Sequence, residues 1–161
     1  MKKKSVLFMT QASMIATIYV VLTIIFAPFG FGNIQVRIAE ALTILPAFTP
    51  AAIPGLFIGC IIGNLIGGAV LPDIIFGSLA TLIGACFTFL LKNKHPYLAP
   101  IPPILSNTLI IPFVLQYAYG LELPIPFMML TIGIGEILSC GLLGMILYTA
   151  LAKYKHKIFK V

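Results

Sequence analysis

Long stretches without a charged residue constrain this chain more than any other feature of its sequence. Residues 5–36, 41–72, 74–91 and 95–121 contain no charge when the single histidine among them is taken as neutral. A helix needs about 20 apolar residues to cross the hydrocarbon core of a bilayer. Charged residues make up only 9% of the chain, whereas a soluble domain has about 25%. The sequence therefore predicts an integral membrane protein.

Proline and glycine groups divide these stretches into six candidate helices joined by short loops. The lysine-rich start and first apolar run resemble a signal peptide, but the run is too long and lacks a small-residue cleavage site, which favours an uncleaved span. We expect an all-α membrane protein with one domain, residues 1–161, folded as a compact bundle of six transmembrane helices. The approximate spans are residues 5–29, 35–48, 51–68, 73–91, 100–119 and 127–152.

The lysines test this count, because loops on the cytoplasmic side of a membrane are enriched in positive charge. Nine lysines lie in three clusters, at residues 2–4, 92–94 and 153–160. Six spans place all three clusters on one side, whereas five or seven spans place one cluster on the other side. The sequence therefore predicts a multi-pass protein of the plasma membrane with both termini in the cytoplasm.

Several functions are excluded by what the chain lacks. It contains no phosphate-binding Gly-x-x-x-x-Gly-Lys-Ser/Thr loop and no His-Glu-x-x-His or Gly-x-Ser-x-Gly motif. We therefore expect neither an enzyme nor a protein that uses ATP by itself. The net charge of +6 comes from the terminal and loop lysines without a basic face, so nucleic acid is not an expected partner. No cofactor or metal is expected, and Cys60, Cys86 and Cys140 are interpreted as buried free thiols.

Polar side chains inside the apolar spans are the candidate functional residues. Glu136 lies about ten residues into the last span, with no local partner of opposite charge. Because a charge at the bilayer centre costs about 2.5–3.5 kcal/mol, Glu136 should face protein or a wet cavity. Glu122 is interpreted as a solvated loop residue. The candidate substrate-binding residues are Glu136, Glu40, Asp73, Asn107, Asn64, Arg37 and Gln116, gathered in the outer half of the bundle with an acidic excess.

Structural roles compete with this interpretation for several of these residues. Arg37 and Glu40 are three residues apart and can pair with each other. Asp73 follows a proline at a helix start and can cap that helix. Asn64 and Asn107 can join helices by hydrogen bonds. The pattern alone leaves these alternatives open.

Small residues at four-residue spacing form a second pattern. They recur on the third span and, more briefly, on the first, and such spacing lets another helix approach closely. On the third span this pattern favours packing within the protein. The glycines are Gly55, Gly59, Gly63 and Gly67, and the first-span pair is Ala12 and Ala16.

Three segments resemble the QueT family. They are residues 33–46 (NIQVRIAEALTILP), 55–64 (GLFIGCIIGN) and 73–77 (DIIFG), and the resemblance extends over essentially the whole chain. Members of that family are regarded as S components, the substrate-binding subunits of energy-coupling factor (ECF) transporters, for queuosine precursors. The segment with Arg37 and Glu40 is the specific part of the resemblance.

The resemblance implies a partner and a ligand. S components dock through small residues of the first helix on a transmembrane T component that joins two ATPases, which implies a docking role for Ala12 and Ala16. The implied ligand is a 7-deazaguanine, namely the aminomethyl form (preQ1), the cyano form (preQ0) or queuine. Carboxylates suit its N–H donors and an amine cation. Aromatic stacking would complete such a site, and the candidates are Phe29, Phe31, Tyr117 and Tyr119.

Three other functions stay open at this stage. The chain could be an S component for a different vitamin-like solute, although its acidic excess argues against a carboxylate-bearing ligand. It could be a non-transporting membrane scaffold, which would have no need of Glu136 or of asparagine within the membrane. A stand-alone secondary transporter is the last, and the internal repeat that many of those show is not visible here.

Overall fold

The computed structural model describes residues 2–30 and 36–158, and within these ranges it contains helices and no strand. We number the six main helices in chain order. Shorter helical turns occupy Ala27–Gly30, Pro96–Leu98 and Lys155–Ile158. The main helices are α1 (Lys2–Ile25), α2 (Ile38–Ala47), α3 (Ala52–Ile66), α4 (Leu71–Leu91), α5 (Ile101–Ala118) and α6 (Ile125–Ala152).

Four of these helices, α1, α4, α5 and α6, are long and apolar enough to cross a membrane. Large apolar side chains cover their outer surfaces, for example Val6, Leu90 and Leu130, each more than 60% exposed. Such a surface is stable against lipid rather than water. The described chain is thus an all-helical membrane protein.

The other two helices are shorter than the sequence suggested. The second span was expected over residues 35–48, but α2 begins at Ile38, and Gln35 lies outside the described residues. The ten residues of α2 are wound as a 3₁₀ helix, about 20 Å long at a rise of about 2.0 Å each. The 15 residues of α3 extend about 22 Å. Crossing of the membrane by α2 and α3 stays a prediction.

The short helix α2 lies in the middle of the protein and contacts α1, α3, α4 and α6. Residues 39–46 are all buried, so the helix is surrounded by protein on every side. In a 3₁₀ helix the side chains at positions i and i+3 eclipse each other, which stacks Glu40, Thr43 and Pro46. The Thr43 hydroxyl donates to the Glu40 carbonyl over 2.6 Å.

The glycines of α3 allow α1 to lie unusually close, as their spacing predicted. A Cβ atom on Gly59 would lie 2.9 Å from Tyr19 Cβ and 3.1 Å from Ala16 Cα. A Cβ atom on Gly55 would lie 2.7 Å from the Ala12 carbonyl oxygen. These separations leave no room for a side chain. The close contact brings Tyr19, in the second half of α1, into the interior of the protein.

The last helix, α6, changes its winding directly after Glu136. Residues Ile137–Leu143 form a π-helical segment between two α-helical parts. π-helical segments are rare in proteins, and those that occur are often found at functional sites. The wider turn places Cys140 on the same side as Glu136, toward the interior, and both side chains are at most 3% exposed.

Apolar and polar side chains occupy different levels of the interior. The hydrophobic core, which includes Ile15, Leu45 and Leu56, lies toward the end at which Gln11 and Ile158 meet. There the Phe48 and Tyr148 rings meet at 4.7 Å, and Gln11 donates to the Ile158 carbonyl. Most of the buried charged and amide residues lie toward the opposite end, whereas the buried Thr49 hydroxyl donates to Gln11 at this end.

Candidate functional site

Polar side chains from all six main helices meet in one region, which we call the buried polar cluster. Its members are less than a tenth exposed, apart from the half-buried Arg37 just before α2. Burial of so many polar groups is costly unless they bind one another or a ligand. The cluster comprises Tyr19, Arg37, Glu40, Thr43, Cys60, Asn64, Thr81, Asn107, Glu136 and Cys140.

Glu40 lies at the centre of the cluster and is fully buried. The Tyr19 hydroxyl donates a hydrogen bond to Glu40 Oε1. Thr81 Oγ1 lies 3.5 Å from the same oxygen, which is too long for a strong bond. Glu40 Oε2 has no hydrogen-bond partner among the described residues. A buried acceptor without a donor is destabilising, so this oxygen is a position where a ligand donor would be stabilising.

Glu136 approaches Glu40 from α6 and is 3% exposed. Asn107 Nδ2 donates to Glu136 Oε1 over 3.0 Å, and the Cys140 thiol donates to Oε2 over 3.1 Å. One carboxylate oxygen each of Glu40 and Glu136 and the sulfur of Cys140 all lie within 4.8 Å of one another. Carboxylate and thiolate ligands also suit zinc, so binding experiments on this site require a chelator.

Arg37 lies at the edge of the cluster, next to α3. Its Nη2 donates to Asn64 Oδ1, and its charge acts on the carboxylates of Glu40 and Asp73. Asn64 in turn donates to Cys60 Sγ over 3.6 Å. Arg37 is thus a counter-ion for two carboxylates, which is compatible with both the structural and the binding interpretation.

Asp73 lies beside the cluster in the first turn of α4. A Cβ atom on Gly77 would lie 3.1 Å from Asp73 Oδ1 and 3.2 Å from Asn64 Nδ2, so the absence of a side chain at Gly77 lets these two groups approach. Asp73 is not the N-cap residue of α4, because that position is Val70 and no side chain caps the helix there. Its carboxylate still lies in the first turn, where it can interact with the helix dipole.

The Asp73 carboxylate instead accepts a hydrogen bond from the Tyr119 hydroxyl over 2.8 Å. That hydroxyl also accepts from the Val70 backbone N–H over 3.4 Å. Partial burial and the hydrogen bond to Asp73 raise the pKa of Tyr119, so its hydroxyl remains a donor at neutral pH. These contacts join the start of α4 to the end of α5.

The remaining predicted positions lie apart from the cluster. Gln116 is half-buried on α5, and its Oε1 has no partner among the described residues. Glu122 is exposed in the loop before α6, as expected. Of the stacking candidates, Phe31 and the side chain of Phe29 lie outside what the structure describes. Tyr117 is 80% exposed.

An apolar cavity of about 400 Å³ lies between α4 and α5, next to the Asp73–Tyr119 pair. Its walls carry no charged side chain, and several of the lining side chains are exposed at the outer surface of the protein. It is therefore unsuited to a polar ligand. The walls are formed by Pro72, Phe76, Leu109, Ile110, Phe113, Val114, Tyr117 and Ala118.

Sequence reasoning did not predict five members of the cluster as site residues, namely Tyr19, Thr43, Cys60, Thr81 and Cys140. Tyr19 was not considered, although it is a rare polar aromatic side chain in an apolar helix. Thr81 lies eight residues after Asp73 and thus on the same face of α4, and Cys140 lies one turn after Glu136. Helical spacing from the predicted acidic residues could have found the last two. Cys60 and Cys140 are buried and free as expected, whereas Cys86 is half-buried.

An all-helical membrane protein with a hydrogen-bonding cluster enclosed between its helices has the architecture of a membrane carrier or binding subunit. The family model of the QueT transporter matches residues 9–153. The chain therefore belongs to the QueT transporter family, as its sequence segments indicated. Comparison with curated proteins and with solved structures gave no match.

Proposed function

We propose that this protein is the S component, the substrate-binding membrane subunit, of an ATP-driven ECF importer for a queuosine precursor. The ligand would be a 7-deazaguanine, and it would bind in the buried polar cluster, within the outer half of the protein. The observation that carries this proposal is Glu40, a fully buried carboxylate with one oxygen that accepts no hydrogen bond from a described residue. Membership of a transporter family supports the transport part of the proposal.

The chemistry of the cluster fits the polar edge of a deazaguanine. That edge presents neighbouring N–H donors, which one carboxylate can accept with both oxygens. Glu40 already has Oε1 oriented by Tyr19 and Oε2 available. Asn107 and Asn64 offer mixed donor and acceptor groups at either side. Asp73, Gln116 and Arg37 lie further out and would complete or close the site.

A scaffold that only organises partners is less compatible with this interior. A polar network costs stability when it is incompletely satisfied. Within the buried polar cluster, Glu40 Oε2 is an oxygen without a hydrogen-bond partner among the described residues. A ligand can supply missing donors, whereas a scaffold would retain the cost.

The proposed T component would dock on α1, and the two ATPases would bind to the T component. Ala12 and Ala16 were the docking candidates, but the structure packs this side of α1 against Gly55 and Gly59 of α3. Ala16 is only 9% exposed. A large side chain at Ala16 would therefore disturb the fold as well as any docking. Ser13 is exposed on the neighbouring face of the same helix and gives a cleaner test of docking.

The proposed sidedness places both termini and the lysine clusters in the cytoplasm of a plasma-membrane protein. The cluster then faces outward, because it lies on the side away from Gln11 and Ile158. Thiol labelling in intact cells can test this orientation. A cysteine at Glu122, in the loop before α6, should react with an impermeant maleimide, and one at Lys153 should react only after permeabilisation. The reverse result would invert the topology.

Calorimetry on the purified protein in detergent with EDTA tests the function directly. The ligands are the aminomethyl and cyano 7-deazaguanines and queuine, with guanine and biotin as controls. Saturable binding of a deazaguanine, absent for biotin, is expected. If folded protein binds none of the three, the queuosine assignment is wrong, and an S component for another solute takes its place.

Two variants locate the site. Glu40→Gln and Glu136→Gln should each weaken binding of the aminomethyl form by about 1.5–3 kcal/mol, the scale of a hydrogen bond to a charged group. Glu122→Gln is the matched control, because Glu122 is exposed in a loop. Unchanged affinity in both site variants would remove these carboxylates from the site. A similar loss in the control would point to a general electrostatic effect.

A further inference from the structure

The two central carboxyl groups of the cluster are too close to carry two negative charges in a buried site. Glu40 and Glu136 are 0% and 3% exposed, and ligand-capable oxygens of the two lie within 4.8 Å of each other. Like charges at such a separation, away from water, repel strongly, and one carboxyl of such a pair holds a proton. The empty site is therefore expected to contain one shared proton.

The neighbouring groups reduce this repulsion only in part. Arg37 is the one cation among the described residues of the cluster, and it hydrogen-bonds Asn64 and acts on Asp73 as well as Glu40. The other titratable groups that face the pair are Tyr19 on α1, Cys60 on α3 and Cys140 on α6. These are neutral donors or acceptors at neutral pH.

The remaining contacts come from uncharged side chains. Thr81 on α4 approaches Glu40, and Asn107 on α5 donates to Glu136. Three carboxyls, those of Glu40, Glu136 and Asp73, therefore share the charge of one guanidinium. The cluster together with the neighbouring Asp73 has a net charge of about −2 if all three carboxyls are ionised and about −1 with one proton on the pair.

We infer that the Glu40–Glu136 pair is a cation site that exchanges its proton for the ammonium group of an amine-bearing substrate. This inference rests on the proposed function and narrows its substrate class to the deazaguanines that carry an amine. An alkylamine is protonated at neutral pH, as lysine is. On binding, the ammonium donates hydrogen bonds to the two carboxylates, the carboxyl O–H bond breaks, and its proton passes to the buffer.

This exchange keeps the charge of the cluster constant, because one positive charge replaces another. A ligand without an amine has no cation to offer, so the proton stays on the pair. The aminomethyl and cyano 7-deazaguanines share the same ring and differ in this group. They are therefore a matched pair of probes for the exchange.

Calorimetric titration in buffers of different ionisation enthalpy measures the number of protons released on binding. At one pH near neutrality, with EDTA present, we expect release of about one proton for the aminomethyl form and none for the cyano form. The affinity for the aminomethyl form should increase as the pH is raised, by at most about tenfold per pH unit, which is the limit for one released proton. The affinity for the cyano form should be independent of pH over the same range.

Substitution of Glu136 identifies the group that holds the proton. In Glu136→Gln the amide replaces the protonated carboxyl permanently, so Glu40 stays ionised. Proton release with the aminomethyl form should then disappear, and its affinity should fall by about 10- to 150-fold, which corresponds to about 1.5–3 kcal/mol. The cyano form should lose affinity by a smaller factor, which also shows that the variant is folded. Glu136→Asp retains a titrating group, and proton release should persist.

The outcomes separate this inference from the proposed function. Zero release with both ligands, equal release with both, or binding of the cyano form alone overturns the cation exchange and leaves the deazaguanine assignment intact. Unchanged release in Glu136→Gln overturns it as well. The proposed function itself fails only if no deazaguanine binds at all.

Discussion

Replacement of Tyr19 with phenylalanine removes a single hydroxyl from the centre of the protein. The Tyr19 side chain is 1% exposed, and its hydroxyl donates to the fully buried Glu40. Phenylalanine has the same ring, so the substitution creates almost no cavity and leaves the contact with Gly59 unchanged. Its effect is therefore the loss of one hydrogen bond to a carboxyl group.

The structure sets the size of this effect. A hydrogen bond to a charged group contributes about 1.5–3 kcal/mol when its buried partner is left unsatisfied. Thr81 cannot replace the lost donor, because it lies 3.5 Å from the same oxygen. For a chain of this length each kcal/mol shifts the unfolding temperature by about 2–4 °C. Tyr19→Phe should thus lower the unfolding temperature by about 3–12 °C.

Thermal unfolding in detergent, without ligand, is the assay, and Tyr148→Phe is the matched control. Tyr148 is half-buried and packs its ring on Phe48, a contact that phenylalanine retains. Ligand affinity should also fall in Tyr19→Phe, by less than in Glu40→Gln, because the carboxylate remains but loses its orientation. If Tyr19→Phe unfolds at the parent temperature, or Tyr148→Phe loses as much, the argument that Tyr19 holds Glu40 is refuted.

Three further predictions follow from the packing and from the outer contacts. Gly59→Ala should lower both thermal stability and ligand affinity, because its Cβ would lie 2.9 Å from Tyr19 Cβ; the control Gly133→Ala has its nearest neighbour at 3.5 Å and should be tolerated. Tyr119→Phe should cost about 1 kcal/mol of stability through loss of the 2.8 Å bond to Asp73, and unfolding midpoints equal to the parent's would contradict this. Ser13→Leu should prevent co-purification with a T component while calorimetry shows normal ligand binding; intact co-purification would place the docking surface elsewhere.

Some residues of the candidate site could be predicted from the sequence. The free-energy cost of a polar side chain in a membrane depends on that residue and its position in the span, not on the rest of the fold. Glu136 and Asn107 lie within apolar spans, and a polar group there must face protein. The structure joins these two residues by a hydrogen bond, which the sequence could not specify. Ala12 and Ala16 show the limit of such reasoning, because small residues at helical spacing indicate a close contact without naming its partner. The contact in the structure is α3, and a docking role stays a prediction.

Composition and hydrophobic pattern determined by themselves that this chain is an all-helical membrane protein. Whether an apolar stretch is more stable in lipid than in water depends on its length and its charge, not on the rest of the fold. They also determined which polar residues must be enclosed. Only the tertiary structure decided which of these residues meet. The packing of α2 against α6 brings Glu40 and Glu136 together from positions almost 100 residues apart. Such long-range contacts arise from the packing of all six helices, which no local pattern records.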